Sequence, residues 1–301
     1  MVSLLLFTTK QTTMNTSWLD KEEYPFTSQY MTINGRKLHY IDEGHGNVLL
    51  FIHGTPSWSF DYRNCIKLLA QSYRCIAIDH IGFGLSDKPE NYDYSTHNHS
   101  KTLEQFVIQK NLENITLIVH DFGGPIGLHY AIHHPERIKN IVISNSWLWS
   151  SADEPHFKKF SKILRNPLLP FLYRYLNFSP RFVLPTMYGD KKPTKHILKH
   201  YTQPFSNKRE RNGTIAFAQS LLNDQEWFQD LWNKKQSIAN KPTLFIWGMK
   251  DPVIIPHYLD IFERGFSHST TVRLETCGHF PQEEEPNIVA DAIDDFLLRH
   301  P

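Results

Sequence analysis

The sequence predicts an α/β protein: a mostly parallel sheet of eight strands flanked by helices, with an inserted helical cap. Two observations predict it. Short apolar runs rich in β-branched residues recur along the chain, as buried parallel strands require, and several end in turns that carry Gly, Asp or His. A long region dense in prolines and aromatics separates the last two of these runs from the others; it has no strand-like pattern and reads as short helices joined by turns. Length agrees, since 301 residues with 40% apolar content can bury one large core and leave chain for a lid. The expected division is a core domain of residues 25–146 and 241–301 and a cap of residues 147–240.

Residues 1–24 read as a flexible tail. Leu4 to Phe7 is apolar but too short for the core of a secretory signal, no basic residue precedes it, and Met14 offers an alternative start. The ordered fold is expected to begin near Tyr30, where Tyr30–Ile33 and Arg36–Asp42 flank Asn34-Gly35, a two-residue hairpin signal. The run Val48–Ile52 ends in His53-Gly54-Thr55-Pro56, a loop of the type that supplies a backbone N–H to an oxyanion. Cys75–Ile78 leads into a Gly82-Phe83-Gly84 loop that lacks the third glycine and downstream acid of a dinucleotide site. Ile115–Val119 and Ile141–Ser144 are the next strands, with a helix over Pro125–His133 between them. After the cap, Thr243–Trp247 and Thr271–Glu275 complete the sheet. The segment Asn287–Leu298 sets Ile288, Val289, Ala292, Ile293, Phe296 and Leu297 on one helical face.

Three of these strand ends carry chemistry. Asp121 stands on the strand-to-helix turn Val119-His120-Asp121-Phe122-Gly123-Gly124, where small residues let the chain turn sharply and push a side chain out above the sheet. The serine form of that turn, G-x-S-x-G, occurs nowhere in the chain. Asp251 follows the strand Thr243–Trp247, and His279 follows the last one. Taken singly, Asp121 is a helix cap, Asp251 a turn residue and His279 one of 17 histidines. Together they stand in the order nucleophile, acid, base. An ionised carboxylate at Asp121 attacks an electrophilic carbon to form an ester, and His279, oriented by Asp251, activates the water that cleaves it. N–H groups near Thr55 and at Phe122 hold the oxyanion of the second step. No cofactor or metal is required: His97-x-His99 and His133-His134 lack a third ligand in a supporting motif.

Residues His53 to Arg63, Cys75 to Pro89, Val119 to Leu128 and Gly248 to Pro252 together resemble the haloalkane dehalogenase-like branch of the α/β-hydrolase fold superfamily, which also holds epoxide hydrolases and β-lactone decarboxylases. The resemblance spans roughly residues 24–300. It implies a small apolar organic substrate, water as co-substrate, a covalent alkyl-enzyme ester and, for the dehalogenase reading, a halide displaced to give an alcohol. Two positions depart from the family pattern. Dehalogenases hold the departing halide between a tryptophan after the nucleophile and a second donor, an asparagine of the His-Gly-x-Pro loop or a cap tryptophan; here Phe122 and Thr55 occupy the first position and the loop. Each lost donor is worth roughly two to three powers of ten in rate. Trp147 and Trp149, at the start of the cap, are the candidates to replace one. An epoxide would instead need acids to protonate the leaving oxygen, for which Tyr173, Tyr175, Tyr188 and Tyr201 are available, and a β-lactone is a variant of that oxygen-leaving-group reading. A catalytically silent protein that binds a small ligand in the same pocket is the alternative of a different class.

The cap is expected to line its inner face from Phe157, Phe160, Leu164, Phe171, Leu172, Tyr175, Phe178, Phe182, Phe217 and Leu221. Residues 151–240 hold 15 Lys and Arg against 7 Asp and Glu, whereas the chain as a whole has a net charge of only +1. That near-neutral total excludes a nucleic-acid-binding role, and no apolar run is long enough to span a membrane. Three cysteines, Cys65, Cys75 and Cys277, form no even framework, so reduced thiols and a cytoplasmic location are expected, with Cys277 packing at the end of the last strand.

Overall fold

Asn34 and Gly35 both take the left-handed conformation, φ 49° and 73°, and so close a tight hairpin between β1 (Gln29–Ile33) and β2 (Arg36–Glu43). The computed structural model describes residues 16–301; Met14 and the apolar Leu4–Phe7 lie outside the described residues. The remaining strands are β3 (Val48–Ile52), β4 (Arg74–Ile78), β5 (Ile115–Asp121), β6 (Ile138–Ser146), β7 (Thr243–Gly248) and β8 (Ser269–Leu274). They form one eight-stranded sheet in the order β1-β2-β4-β3-β5-β6-β7-β8. β2 runs antiparallel to both of its neighbours, and every pairing from β4 to β8 is parallel. The expected α/β class and strand count are therefore borne out.

Parallel strands covered on both faces must be apolar on both, and the runs that form β3, β5 and β7 are. Leu50, Ile52, Leu117, Val119 and Phe245 join one core, while Leu49, Phe51, Ile118, Leu244 and Ile246 join the other. Side chains alternate between faces, so each strand anchors two layers of helix. Fully burying a Leu, Ile or Val contributes about 1.5–3 kcal/mol. The flanking helices are α1 (Arg63–Leu69), α2 (Thr96–Gln109) and α3 (Gly123–His133). Ser95 caps α2 by accepting the Asn98 N–H at 3.2 Å. Between β6 and β7 come α4 (Pro155–Leu164), α5 (Leu169–Leu176), α6 (Leu184–Met187), α7 (Lys195–Thr202), α8 (Asn212–Asn223) and α9 (Gln225–Lys234); α10 (Pro256–Gly265), α11 (Pro281–Glu284) and α12 (Pro286–Arg299) complete the core. No helix among the described residues is long and apolar enough to cross a membrane.

Several expectations need correction. Residues 16–24, assigned to the tail, are packed: Leu19 and Tyr24 are buried, and the Tyr24 hydroxyl is 2.6 Å from Ser59 Oγ. A tyrosine with such a tertiary partner has no local periodicity to announce it. On α12, Ile288 is exposed, and Ala290 takes its place on the buried face. In the cap, Phe171, Tyr175 and Phe182 point to solvent at 54%, 51% and 53% exposure, so they do not line its inner face. The three cysteines are free and buried.

Candidate active site

The strand order reverses at β3, with β4 on one side and β5 on the other, and ligands of open α/β sheets bind at the C-terminal ends of strands flanking such a point. Asp121 ends β5 there. Its φ is 50°, a left-handed backbone that a carboxylate residue adopts only when its surroundings over-determine it. They do: a Cβ at Gly54 would lie 2.1 Å from Asp121 Oδ1, and one at Gly123 would lie 2.1 Å from the Ile52 carbonyl oxygen. Glycine at these two positions lets the turn close against β3. The Ser146 hydroxyl donates to the Asp121 carbonyl at 2.7 Å, and the β5–β6 register shifts between His120 and Asp121.

Asp121, Asp251 and His279 are brought together. Asp121 Oδ1 accepts the Thr55 N–H at 2.7 Å, and Asp121 Oδ2 lies 3.5 Å from His279 Nε2. That second separation exceeds a good hydrogen bond, so Oδ2 stays free on the side facing the imidazole. His279 Nδ1 donates to Asp251 Oδ2 at 2.6 Å. All three residues are buried. Burial alone would lower the proton affinity of His279, but the Asp251 carboxylate, aided by Asp121, outweighs it and holds the imidazole pKa up at about 10. Burial pushes the Asp251 carboxyl up, yet His279 and the N–H groups of Val253 and Ile254 overcome this and leave it below its ordinary value. Those N–H groups reach Asp251 Oδ1 at 2.8 and 3.0 Å.

The loop after β3 is held by two histidines. His53 Nδ1 donates to the Gly54 carbonyl at 2.7 Å, leaving Nε2 to accept the His80 N–H at 3.0 Å, and His80 Nε2 donates back to the His53 carbonyl at 3.0 Å. Thr55 thus presents its N–H to Asp121 from a fixed loop, while its hydroxyl oxygen is buried without a hydrogen-bond partner. Phe122 is buried and forms a wall with Trp147, edge-on at 4.9 Å between ring centroids, and with Phe217 of α8 at 4.6 Å. Beyond that wall, Trp147, Phe157, Phe160, Leu221 and Ile254 help to line a cavity of about 20 Å3 between the cap and the Asp251 loop. Trp149 is not available as a leaving-group donor: its indole N–H donates to Glu154 Oε1 at 3.1 Å and its ring packs on Trp232, Tyr258 and Phe262.

Of the four candidate tyrosines, Tyr188 and Tyr201 are neighbours. Tyr175 is exposed, Tyr173 lines a separate groove in the cap, and Tyr188 lies against Phe280. Tyr201 donates to Asp61 Oδ1 at 3.1 Å and also bonds Glu283. Among the described residues, no group of three or more His, Cys, Asp or Glu could hold a metal ion.

Sequence reasoning missed three supporting residues. Asn145 donates Nδ2–H to Asp251 Oδ2 at 2.9 Å while its Oδ1 accepts the Gly248 N–H at 2.8 Å, so it ties β6 to the start of the acid loop. The available signal was a lone amide at a strand end, in Ser144-Asn145-Ser146. His120 donates Nε2–H to the His279 carbonyl at 2.6 Å, which fixes the backbone of His279. Beyond His120, Asp61 accepts from Ser57 at 3.1 Å and Gln282 at 2.7 Å; burial, with Glu283 nearby, raises its carboxyl to about 7.

Comparison with known proteins agrees with this architecture. Residues 47–286 match the family model of the alpha/beta hydrolase fold. The chain is 37% identical to a cis-3-alkyl-4-alkyloxetan-2-one decarboxylase of Shewanella oneidensis, over 91% of this chain and 89% of that protein. It is 32% identical to haloalkane dehalogenase 2 of Mycobacterium tuberculosis, over 91% of this chain and 96% of the relative. Solved structures of a putative ancestral haloalkane dehalogenase and of the dehalogenase DatA from Agrobacterium tumefaciens superpose with TM-scores of 0.82 each. They do so at 23% and 22% identity, over 90% and 91% of this chain and 98% and 97% of those chains, and show the shared fold. The chain belongs to the alpha/beta hydrolase fold family, in the branch that holds haloalkane dehalogenases and alkyl-oxetanone decarboxylases.

Proposed function

We propose that the chain is a haloalkane dehalogenase-like hydrolase that displaces a leaving group from a saturated carbon with the Asp121 carboxylate and releases the resulting ester with water. One observation carries the reading: Asp121 sits on a left-handed turn with one oxygen bonded to the Thr55 N–H and the other 3.5 Å from an imidazole that is itself bonded to Asp251. In the first step Oδ2 forms a bond to the carbon, and the leaving group departs with its electron pair. Esterification removes the Asp121 charge, one of the influences that hold the His279 pKa up. That loss lowers the proton affinity of the imidazole, which gives up its proton to solvent and, once neutral, takes one from the attacking water. Hydroxide adds to the ester carbonyl, the oxyanion forms on Oδ1 against the Thr55 N–H, and collapse releases the alcohol. Throughout, Asp251 keeps the imidazole oriented and balances its cationic form.

A specific observation favours a second reading of the leaving group. Phe122 has no N–H and that of Trp149 is taken by Glu154, so a departing halide would rest on the Thr55 hydroxyl and Trp147. A carboxylate leaving from a strained β-lactone needs no protonation and fewer donors. Attack of Oδ2 on the ring carbon that bears oxygen would open the lactone to an Asp121 alkyl ester and a free carboxylate. Loss of CO2 would then push the electron pair into a double bond and return Asp121. An epoxide fits less well, because its alkoxide must be protonated, whereas Tyr175 is exposed and the Tyr201 hydroxyl is engaged by Asp61.

The test is an assay of bromoalkanes and cis-dialkyl oxetanones in parallel, with His279→Gln and Asp121→Ala proteins. Halide release by the wild type, with an alkyl adduct on Asp121 in His279→Gln found by peptide mass mapping, is the result expected for the dehalogenase reading. Alkene and CO2 from the oxetanone without halide release would replace it by the second. Undiminished turnover of either substrate by Asp121→Ala would overturn both.

A further inference from the structure

Six of the eleven large apolar side chains exposed among the described residues come from one stretch of the cap: Ile163, Leu168, Phe171, Tyr175, Leu176 and Phe182. From Pro155 to Gly189 the same stretch carries Lys158, Lys159, Lys162, Arg165, Arg174 and Arg181, and no Asp or Glu at all. All six basic side chains are exposed. Among the described residues only Lys158 of the six has an ion-pair partner, the exposed Asp153 at 3.4 Å. Lys208 adds a further cation above the Tyr175 ring, 5.2 Å from its centroid. A groove of about 320 Å3, lined by Leu164, Pro167, Leu169, Tyr173 and Ile215 together with polar side chains, runs between this stretch and α8.

Soluble proteins disperse exposed apolar residues, so their concentration in one stretch of the cap points to a partner. We propose that this face of the cap, α4, α5 and the turn that follows, docks on an anionic lipid surface. The apolar side chains would enter the boundary between headgroups and acyl chains while the lysines and arginines reach lipid phosphates, the division of labour of interfacial helices. The uncompensated charge selects this occupant. A second copy of the chain would set one basic face against another, which like-charge repulsion opposes. The groove carries Arg165, Asn166, Gln219 and Asn223 beside its apolar lining, a mixed surface that suits a polar lipid headgroup. α4 also carries Phe157 and Phe160, which line the cavity next to Trp147, so docking would bring a lipid phase beside the cap's inner cavity.

Co-sedimentation of the full chain with vesicles tests this. With equal parts phosphatidylcholine and phosphatidylglycerol the protein pellets; with phosphatidylcholine alone, or with the mixed vesicles at high salt, it stays in the supernatant. Lys159→Glu with Lys162→Glu weakens partitioning by roughly fivefold or more per residue. Leu168→Asp with Phe171→Asp abolishes it, and both variants keep the wild-type melting temperature because the substituted side chains are exposed. Failure of the wild type to pellet with anionic vesicles would overturn the proposal and leave this face to a protein partner. Equal binding to neutral and anionic vesicles, or variants that pellet like the wild type, would also overturn it.

Discussion

The strand ends and the cap face each other across the candidate site, yet they are built on opposite terms. At the strand ends the polar side chains are held by named partners, Asp121 by Thr55, Asp251 by Asn145, Val253, Ile254 and His279, and the backbone of His279 by His120, while Asp121 Oδ2, His279 Nε2 and the Thr55 hydroxyl are left free. The cap contributes apolar surface, Phe217 and Phe157 inward and Phe171, Tyr175 and Phe182 outward. On the proposed reading, reaction geometry resides in the sheet and access in the cap. Substitutions at strand ends should change turnover out of proportion to stability, and those on the outer cap should change neither.

Asp251→Asn is the sharpest probe of that contrast. It keeps the shape but removes the charge that stabilises the imidazolium, and kcat should fall by about four powers of ten with the melting temperature little altered. A fall below tenfold on an identified substrate would take Asp251 out of the reaction. Next comes Gly54→Ala, whose added methyl would sit 2.1 Å from Asp121 Oδ1. Displacing the carboxylate by about an ångström should lower kcat by about a hundredfold, measurable beside an unchanged circular dichroism spectrum. Unchanged kcat would show that the turn can relax.

Smaller effects concern stability. Asn145→Ala leaves the Gly248 N–H unpaired and Asp251 with one partner fewer, and should cost about 1–3 kcal/mol in urea denaturation. His99 is buried, and burial lowers its pKa from 6.5 to about 3. The unfolded chain thus takes up a proton that the fold refuses, and the stabilising share of the neutral imidazole, complete above about 6.5, is lost as pH falls toward 3. A His99→Leu protein lacks that loss, so its stability should gain on the wild type by up to about 1.4 kcal/mol per pH unit on acidification. Parallel pH profiles would contradict this. On the outer cap, Phe171→Ser should stay within about 0.5 kcal/mol of the wild type.

The same contrast governs what was legible in the sequence. Strands buried on both faces must be continuous apolar runs, so Val48–Ile52 was read to the residue, while β6 was read short because Lys139, Asn140, Asn145 and Ser146 flank its apolar centre. The polar residues Asp121, Asp251 and His279 stood out because each follows such a run. Asn145 did not: its role depends on Asp251, more than a hundred positions away. In the cap, helical spacing tells which residues share a face but not which face turns inward. Phe171 and Tyr175, one turn apart, were thus placed on the same side correctly and on the inner side wrongly. Trp149 was misjudged for a related reason, since the Glu154 that engages its N–H is a near neighbour that no pattern singles out.

The hydrogen bond from Thr55 to Asp121 Oδ1 has an isotopic consequence. If Oδ2 is always the attacking atom, each turnover sends it into the product and solvent oxygen takes its place, while Oδ1 stays pinned at 2.7 Å to the backbone. Repeated cycles in heavy-oxygen water would then label one carboxylate oxygen of Asp121 and leave the other at natural abundance. The two chemically equivalent oxygens of a free aspartate would carry distinct histories in the working enzyme.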